Sequence, residues 1–236
     1  MSIAENVAKI RAQIAEAAIA AGRDPKEIQL CAATKMNDAD AVRQAIAAGV
    51  DCCGENRVQE LTAKLAENAY EGAPVHFIGH LQTNKVKQVV GKVDLIQSVD
   101  SERLLKAIDK EAAKQGIIQN ILLEVNVGEE ASKSGFALED ILSIVEKSSE
   151  FPNICIKGLM AIPPISQFEG ENLKFFQKMF QLSVDIKNKI EDNVKVDCLS
   201  MGMSGDYPDA IKCGSTMIRV GTAIFGARNY ARIHQC

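Results

Sequence analysis

The sequence predicts an α/β protein, and within that class a closed (β/α)8 TIM barrel with an extra N-terminal helix. Short apolar runs alternate with amphipathic segments, which is the pattern of parallel βαβ units. Eight such units follow one another in 236 residues, close to the ~250 residues that a barrel typically needs. No linker rich in Pro, Gly or Ser divides the chain. We therefore expect one barrel domain over residues 1–236, with an open doubly wound sheet as the alternative.

The first half of the chain supplies the extra helix and four strand–helix units. Apolar residues recur at three- to four-residue spacing over residues 2–21 and predict a helix that Gly22 ends. The elements predicted next are a strand at 28–34, a helix at 38–48 capped by Asp38, a strand at 50–54, a helix opening at 55–57, a strand at 75–78, a helix at 82–90, a strand at 93–97 and a helix at 101–115 capped by Ser101.

The second half repeats the alternation four more times. The elements predicted there are a strand at 121–127, a loop at 128–136, a helix at 138–147, a strand at 154–160, a helix at 172–190, a strand at 196–200, a short helix at 206–212 and a last strand at 216–220. Because all eight strands would be parallel, their carboxyl ends should meet at one face, which is where barrels bind their ligands.

The totals exclude several classes of function. The net charge is −4, so no global charge favours nucleic acid or an anionic membrane. No segment is long enough to span a bilayer and the N-terminus lacks an apolar leader, so we expect a cytoplasmic protein or, in a eukaryote, an organellar one.

The cysteines and histidines predict neither a disulfide framework nor a metal site. The odd count of seven cysteines argues against closed pairing. The chain has no C-x-x-C pair, and its three histidines match no zinc spacing. Cys31 reads as a small core residue, and Cys52 and Cys53 should point to opposite faces of a strand.

Lys35 is the first candidate for chemistry. It ends the apolar run 28–34 and so falls at the carboxyl end of the first strand. A lysine amine is nucleophilic only when neutral, and an apolar surround favours that form. Lys35 is therefore a candidate for a Schiff base, with a surface lysine that follows a strand as the alternative reading.

A phosphate site is predicted at the last two strands. Barrels often build such sites from the loops after strands seven and eight. The loop 202–205 has glycines whose backbone N–H groups can approach an anion, and Ser204 adds a hydroxyl group. Gly221 and Thr222 offer a second set of donors. Turn glycines with a capping serine are the alternative interpretation.

A Schiff-base lysine with a phosphate cradle suggests pyridoxal 5′-phosphate (PLP). Arg219 lies just before the second set of donors and could reach the pyridine nitrogen. Because arginine only donates and stays charged, it would keep that nitrogen unprotonated and weaken the ring as an electron sink.

Seven motifs along the chain together match one known family. They are, in order, Ala33-Thr34-Lys35, Gly54-Glu55-Asn56-Arg57-Val58-Gln59-Glu60, His76-Phe77-Ile78-Gly79-His80-Leu81-Gln82-Thr83-Asn84-Lys85, Lys133-Ser134-Gly135, Gly158-Leu159-Met160, the run from Leu199 to Asp206 and the run from Arg219 to Gly226. By these motifs the chain resembles the YggS/PROSC family of pyridoxal phosphate homeostasis proteins over nearly its whole length. One departure is Cys52-Cys53 before Gly54, where an aromatic residue is common.

The resemblance implies a barrel like the N-terminal domain of alanine racemases, with PLP bound covalently to Lys35. It implies that Ser204, Gly221 and Thr222 hold the phosphate, that Arg219 faces the pyridine nitrogen and that Asn56 lies beside the ring. It also implies a PLP carrier or buffer without robust catalysis, whose partners include apo-forms of PLP enzymes. A rim around the site is predicted from three further residues at strand ends, namely Lys133, Met160 and His80. Lys133 could guide PLP outward.

The tyrosines support the absence of catalysis. Related racemases take an acid/base tyrosine from a second, β-rich domain, and this chain ends about ten residues after Gly226. None of Tyr70, Tyr207 and Tyr230 stands in a motif that would replace that group. Without the second domain's contacts we expect a monomer. Two alternatives stay open, namely a PLP enzyme with weak racemase or lyase activity and a cofactor-free Schiff-base enzyme such as an aldolase.

Overall fold

The predicted barrel is confirmed. The computed structural model describes residues 1–130, 133–166, 168, 170–188 and 193–226. Its eight parallel strands pair in chain order, and the first strand closes the barrel by pairing with the eighth. The predictions that involve Tyr230, His234 and Cys236 lie outside the described residues.

Strands and helices alternate along the chain as the sequence indicates. The strands are β1 (Gln29–Ala33), β2 (Cys52–Glu55), β3 (Val75–Phe77), β4 (Leu95–Val99), β5 (Gln119–Val125), β6 (Ile154–Ala161), β7 (Val194–Ser200) and β8 (Met217–Val220). The α-helices are α1 (Ile3–Ala20), α2 (Ala39–Ala47), α3 (Val58–Ala66), α4 (Glu102–Gln115), α5 (Ile141–Glu146), α6 (Leu173–Lys187), α7 (Tyr207–Lys212) and α8 (Thr222–Phe225).

Several predicted bounds are wrong. β4 and β5 each lie two residues away from their predicted positions, because polar residues continue the strands inside the barrel. Gln97 and Ser98 are buried within β4, and the buried side chain of Gln119 at the start of β5 donates to the Val93 carbonyl at 3.2 Å. Glu55 belongs to β2 rather than to the helix that follows, and a 3-10 helix over Thr83–Gln88 replaces the predicted α-helix at 82–90.

The extra helix α1 contacts the last strand–helix unit of the barrel. Its buried residues, Val7, Ile10, Ile14 and Ala18, follow the predicted helical spacing and join the main core. The Asn6 amide donates to the Ile224 carbonyl in α8 at 2.8 Å. The extra helix is therefore tied directly to the turn that follows β8.

The inside of the barrel is partly polar. A chain of contacts runs from Arg219 through Ser200 and Gln97 to His76, with the Arg219 guanidinium 2.6 Å from the Ser200 hydroxyl, that hydroxyl 2.7 Å from Gln97 Oε1 and Gln97 Nε2 2.9 Å from His76 Nδ1. Four consecutive members of one network thus come from β8, β7, β4 and β3.

In the part of the chain that the structure describes, no helix is both long enough and apolar enough to span a membrane.

Candidate functional site

Lys35 lies at the carboxyl end of β1, as predicted. The backbone N–H of Thr34 donates to the Gly54 carbonyl at 2.9 Å, so pairing with β2 continues to the residue before the lysine. Lys35 itself is half-buried. Met36 then takes a left-handed conformation with φ of 62°, and its N–H donates to the Glu60 carboxylate at 2.6 Å. The chain therefore turns away immediately after presenting Lys35 at the mouth of the barrel.

A buried ionic network fixes the position of Lys35 from behind. The Glu55 carboxylate oxygen Oε1 accepts from the Lys64 ammonium at 2.6 Å, the Thr34 hydroxyl at 2.6 Å and the Tyr70 hydroxyl at 3.0 Å. The Lys64 ammonium also donates to the Thr34 carbonyl at 2.8 Å. Burial, together with the charge of Glu55, raises the pKa of Tyr70 well above its usual range, so Tyr70 stays a neutral donor.

Asn56 follows β2 and presents a polar atom that no neighbouring protein group satisfies. Its side-chain oxygen Oδ1 is buried and has no hydrogen-bond partner among the described residues. Gly79, after β3, packs against the Asn56 backbone, and a Cβ atom there would collide with the Asn56 carbonyl oxygen. A buried acceptor without a partner costs about 1–3 kcal/mol, so the position favours a ligand that donates a hydrogen bond.

The two predicted phosphate-binding segments come together through β8. The Arg219 N–H donates to the Gly202 carbonyl at 3.0 Å, which fixes the loop 202–205 beside β8. Gly221 lies against β1, because a Cβ atom there would be 3.3 Å from the Ala33 Cβ and carbonyl oxygen. Ser204 and Thr222 are both exposed. Their hydroxyl groups are therefore accessible to an anion that approaches the end of β1.

The loop after β7 is held by Asp206. One carboxylate oxygen accepts from the Met203 N–H at 2.7 Å, and the other accepts from the Asn172 amide at 2.8 Å. Gly202 has φ of 94°, a conformation that favours glycine, and a Cβ atom there would overlap with Ala210. The loop is thus preformed, with Asp206 engaged by protein donors.

Arg219 is almost fully buried among the strands. Its guanidinium donates to the Ser200 hydroxyl at 2.6 Å and to the Ala161 carbonyl at 2.9 Å. Burial lowers the pKa of Arg219, and the carboxylate of Glu124 is one of the groups that oppose this shift. The charge remains, because the pKa of an arginine begins above 12.

Glu124 on β5 is a candidate site residue that the sequence reasoning missed. Burial, together with the charge of the neighbouring Asp100, raises the pKa of Glu124 to about 7, and Arg219 and His80 oppose the shift. The carboxyl group therefore exchanges its proton near neutral pH. The available signal was a glutamate inside the apolar run of β5, at residue 124.

The three predicted rim residues differ in their placement. His80 is exposed, and its Nδ1 lies 3.1 Å from the Asp100 carboxylate. Lys133, in the loop after β5, is partly exposed and forms an ion pair of 2.6 Å with Glu130. Met160 does not lie on the rim, because it is fully buried inside the barrel with Leu95 and Leu122.

The site as a whole lies across β1, β2, β7 and β8. Lys35, Asn56, Gly221 and Thr222 stand at adjoining strand ends, since β1 pairs with both β2 and β8. The sequence reasoning gave no role to the supporting residues Lys64, Glu55, Tyr70, Gln97 and Ser200. A lysine buried on the inner face of an amphipathic helix has no distinct local pattern, and its partner becomes evident only once the fold is known.

Comparisons with known proteins identify the family of the chain. Residues 2–229 match the family model described as alanine racemase, N-terminal domain. A protein of Pseudomonas aeruginosa named pyridoxal phosphate homeostasis protein is 42% identical over 229 residues, which cover 97% of each chain. A protein of the same name from Aquifex aeolicus is 39% identical, and the match covers 98% of this chain and 100% of that protein. Another from Escherichia coli strain K12 is 38% identical, and the match covers 98% of each chain.

Solved structures resemble the whole barrel. PipY of Synechococcus elongatus, in a structure with PLP bound, superposes with a TM-score of 0.82 at 34% identity and covers 95% of this chain and all of its own. An alanine racemase from Streptomyces coelicolor superposes with a TM-score of 0.71 at 16% identity, over 97% of this chain and 59% of its own. The second likeness concerns the fold alone.

Proposed function

We propose, from the premise that this chain belongs to the alanine racemase N-terminal domain family and within it to the pyridoxal phosphate homeostasis proteins, that it binds PLP as a Schiff base on Lys35. Its role is intracellular PLP homeostasis, as a carrier or buffer of vitamin B6 cofactor without robust catalysis. Apo-forms of PLP enzymes are the partners that would receive the cofactor, and we propose that the carrier is a monomer.

The packing of Gly221 against Ala33 is the observation that carries this proposal. It brings the donors of Gly221 and Thr222 next to the strand that ends at Lys35. A phosphorylated aldehyde has one end for an amine and another for a cluster of donors. Lys35 and the β8 turn supply both at adjoining strand ends, so the residues fit PLP.

Each remaining site residue has one role in holding the cofactor. Ser204, Gly221 and Thr222 bind the phosphate through hydroxyl and N–H donors. Arg219 donates toward the pyridine nitrogen, and Asn56 Oδ1 accepts from a donor group on the ring. PLP, when bound, supplies an electron-withdrawing ring joined to the lysine nitrogen. Because Arg219 cannot deliver its proton, the ring stays a weak electron sink, which suits storage better than catalysis.

The tyrosines also support a carrier. The Tyr70 hydroxyl donates to Glu55, and the Tyr207 hydroxyl donates to Gln13 at 2.9 Å. Among the described residues, both tyrosine hydroxyls are thus engaged in structural contacts. The chain therefore offers no described tyrosine as the acid/base group that a racemase requires beside its substrate.

Weak amino-acid racemase or lyase activity is the alternative, and Glu124 is the observation that favours it. This buried carboxyl group has a pKa of about 7 and interacts electrostatically with Arg219. An acid/base group with such a pKa is suited to proton transfer at neutral pH. Turnover of an amino acid on the order of 1 per second or faster would select this alternative over a carrier.

The visible spectrum before and after borohydride reduction tests the cofactor assignment. Wild-type protein should show an absorption band that bleaches on reduction, and peptide mapping should find the pyridoxyl group on Lys35. Lys35→Ala should lose the adduct, whereas Lys106→Ala, on the outer helix α4, should retain it. A protein that stays colourless after incubation with PLP would overturn the assignment in favour of a cofactor-free Schiff-base enzyme.

A further inference from the structure

Three potential metal ligands meet inside the barrel and have no role in the proposed cofactor site. Cys31 on β1, Cys52 on β2 and His76 on β3 are all buried, and one ligand atom from each lies within 4.8 Å of the other two. Cys31 and Cys52 are direct partners in the strand pairing. No metal site was predicted from the sequence, because the chain has no C-x-x-C pair and its histidines match no zinc spacing. The three donors are 21 and 24 residues apart along the chain.

We propose that Cys31, Cys52 and His76 form a binding site for a thiophilic metal ion, with Zn²⁺ as the ion that fits best. Zn²⁺ commonly takes thiolate and imidazole ligands. Two thiolates neutralise its charge, so the buried complex adds no net charge to the barrel interior. This site is separate from the proposed PLP site, and its first ligand, Cys31, lies four residues before Lys35 along the chain.

The distances are compatible with coordination after a small contraction. Zn–S bonds of about 2.3 Å place two tetrahedral sulfur ligands roughly 3.8 Å apart. The observed separations of at most 4.8 Å therefore require movements of about 1 Å or less. The Met217 side chain packs in the same cluster with Cys31 and Cys52, and its sulfur accepts a hydrogen bond from the Gln97 amide at 3.1 Å.

The surroundings already fix the position of the imidazole. The Gln97 amide nitrogen Nε2 lies 2.9 Å from His76 Nδ1. The Cys31 and Cys52 thiols are hydrogen-bonded to each other, and binding of Zn²⁺ displaces the protons of thiol ligands.

Cys53 provides a matched control. It neighbours Cys52 on β2 and is equally buried, but it packs in the outer core between strands and helices. Cys53→Ala removes one buried sulfur without removing a proposed ligand.

The test measures the zinc content of the full chain after incubation with Zn²⁺ under reducing conditions and removal of the free ion. Wild-type protein and Cys53→Ala should each retain one zinc ion per chain, whereas Cys31→Ala and Cys52→Ala should lose it. Wild-type protein that retains no zinc, or equal zinc content in all four proteins, would overturn the proposal.

A second measurement does not depend on the folding of variants. X-ray absorption at the zinc edge of the wild-type protein should show two sulfur ligands and one imidazole nitrogen. Replacement of Zn²⁺ by Co²⁺ should produce a thiolate-to-cobalt charge-transfer band in the near ultraviolet. A coordination shell dominated by oxygen, or the absence of that band in a cobalt-loaded protein, would contradict the site.

Discussion

The ammonium group of Lys64 lies 2.6 Å from the carboxylate of Glu55, and both side chains are closed to solvent, with exposed fractions of 7% and 0%. The same ammonium group donates to the carbonyl of Thr34, the residue before Lys35. This buried ion pair therefore connects α3 to the ends of β1 and β2, so the proposed cofactor lysine depends on a contact made outside the barrel wall.

Lys64→Met should destabilise the protein strongly. The substitution leaves the Glu55 carboxylate buried without its positive partner, and such a loss typically costs about 3–5 kcal/mol in the free energy of unfolding. Urea unfolding followed by circular dichroism measures the change. Lys106→Met is the control, because Lys106 forms an exposed pair with Glu102 and should change stability by less than about 1 kcal/mol. Equal effects of the two substitutions would contradict the role of the buried pair.

Glu124→Gln should abolish part of the pH dependence of stability. The pKa of Glu124 is raised from 4.5 to about 7. Between these two pH values the folded protein therefore keeps a proton on Glu124 that the unfolded chain has released. The contribution of Glu124 to stability is therefore complete below pH 4.5 and is lost as the pH rises through 7. The corresponding free energy is about 3 kcal/mol, from ~1.4 kcal/mol for each pKa unit.

Unfolding of the cofactor-free protein in urea at a mildly acidic and a mildly alkaline pH measures this effect. The variant should lose less stability than wild type between the two conditions, because glutamine stays neutral. The exposed Glu139 supplies a control as Glu139→Gln, which should follow the wild-type pH profile. Parallel profiles for wild type and Glu124→Gln would show that Glu124 titrates normally.

The fold and the positions of Lys35 and Ser204 after strands could be predicted from the sequence because they depend on local patterns. The apolar run before Lys35 and the glycines around Ser204 mark strand ends, and the ends of parallel strands meet at one face. The bounds of β4 could not be predicted, since Gln97 and Ser98 interrupt the apolar pattern while lying inside the barrel. A polar residue inside a barrel looks, in the sequence, like the end of a strand.

Two other relationships depend on tertiary structure and could not be predicted. Cys31 and Cys52 become neighbours only because β1 pairs with β2 at those residues, and His76 joins them from β3. The ion pair of Lys64 with Glu55 likewise joins a helix to a strand. Such relationships arise from tertiary packing, and neither spacing nor hydrophobic period reports them.

Thr222→Val should weaken binding of PLP more than binding of pyridoxal, which lacks the phosphate. The substitution keeps the shape of the exposed side chain at the start of α8 but removes its hydroxyl donor. A hydrogen bond to a charged group contributes about 1.5–3 kcal/mol, so the affinity for PLP should fall by roughly 10-fold or more. Absorbance titration with both compounds measures the difference.

The control for Thr222→Val is Thr62→Val, which changes an exposed threonine on α3 and should leave both affinities unaltered. An equal loss of affinity for PLP and pyridoxal in Thr222→Val would argue against phosphate binding at Thr222.

Lys133→Ala should alter the release of PLP more than the absorption spectrum of the bound cofactor. Lys133 lies in the loop after β5, forms an ion pair of 2.6 Å with Glu130 and is partly exposed. Its removal leaves the negative charge of Glu130 on the rim, which repels a phosphate group and should hasten release. Because exposed pairs contribute less than about 1 kcal/mol, a change of roughly 2- to 5-fold in rate is expected. The rate of release is measured as transfer of PLP to an apo-enzyme, followed through the activity that this enzyme recovers.

The matched control is Lys147→Ala, since Lys147 pairs with Glu102 at 3.5 Å on the outer helices. Transfer rates equal to wild type in the Lys133 variant would rule out a function of this lysine in cofactor release.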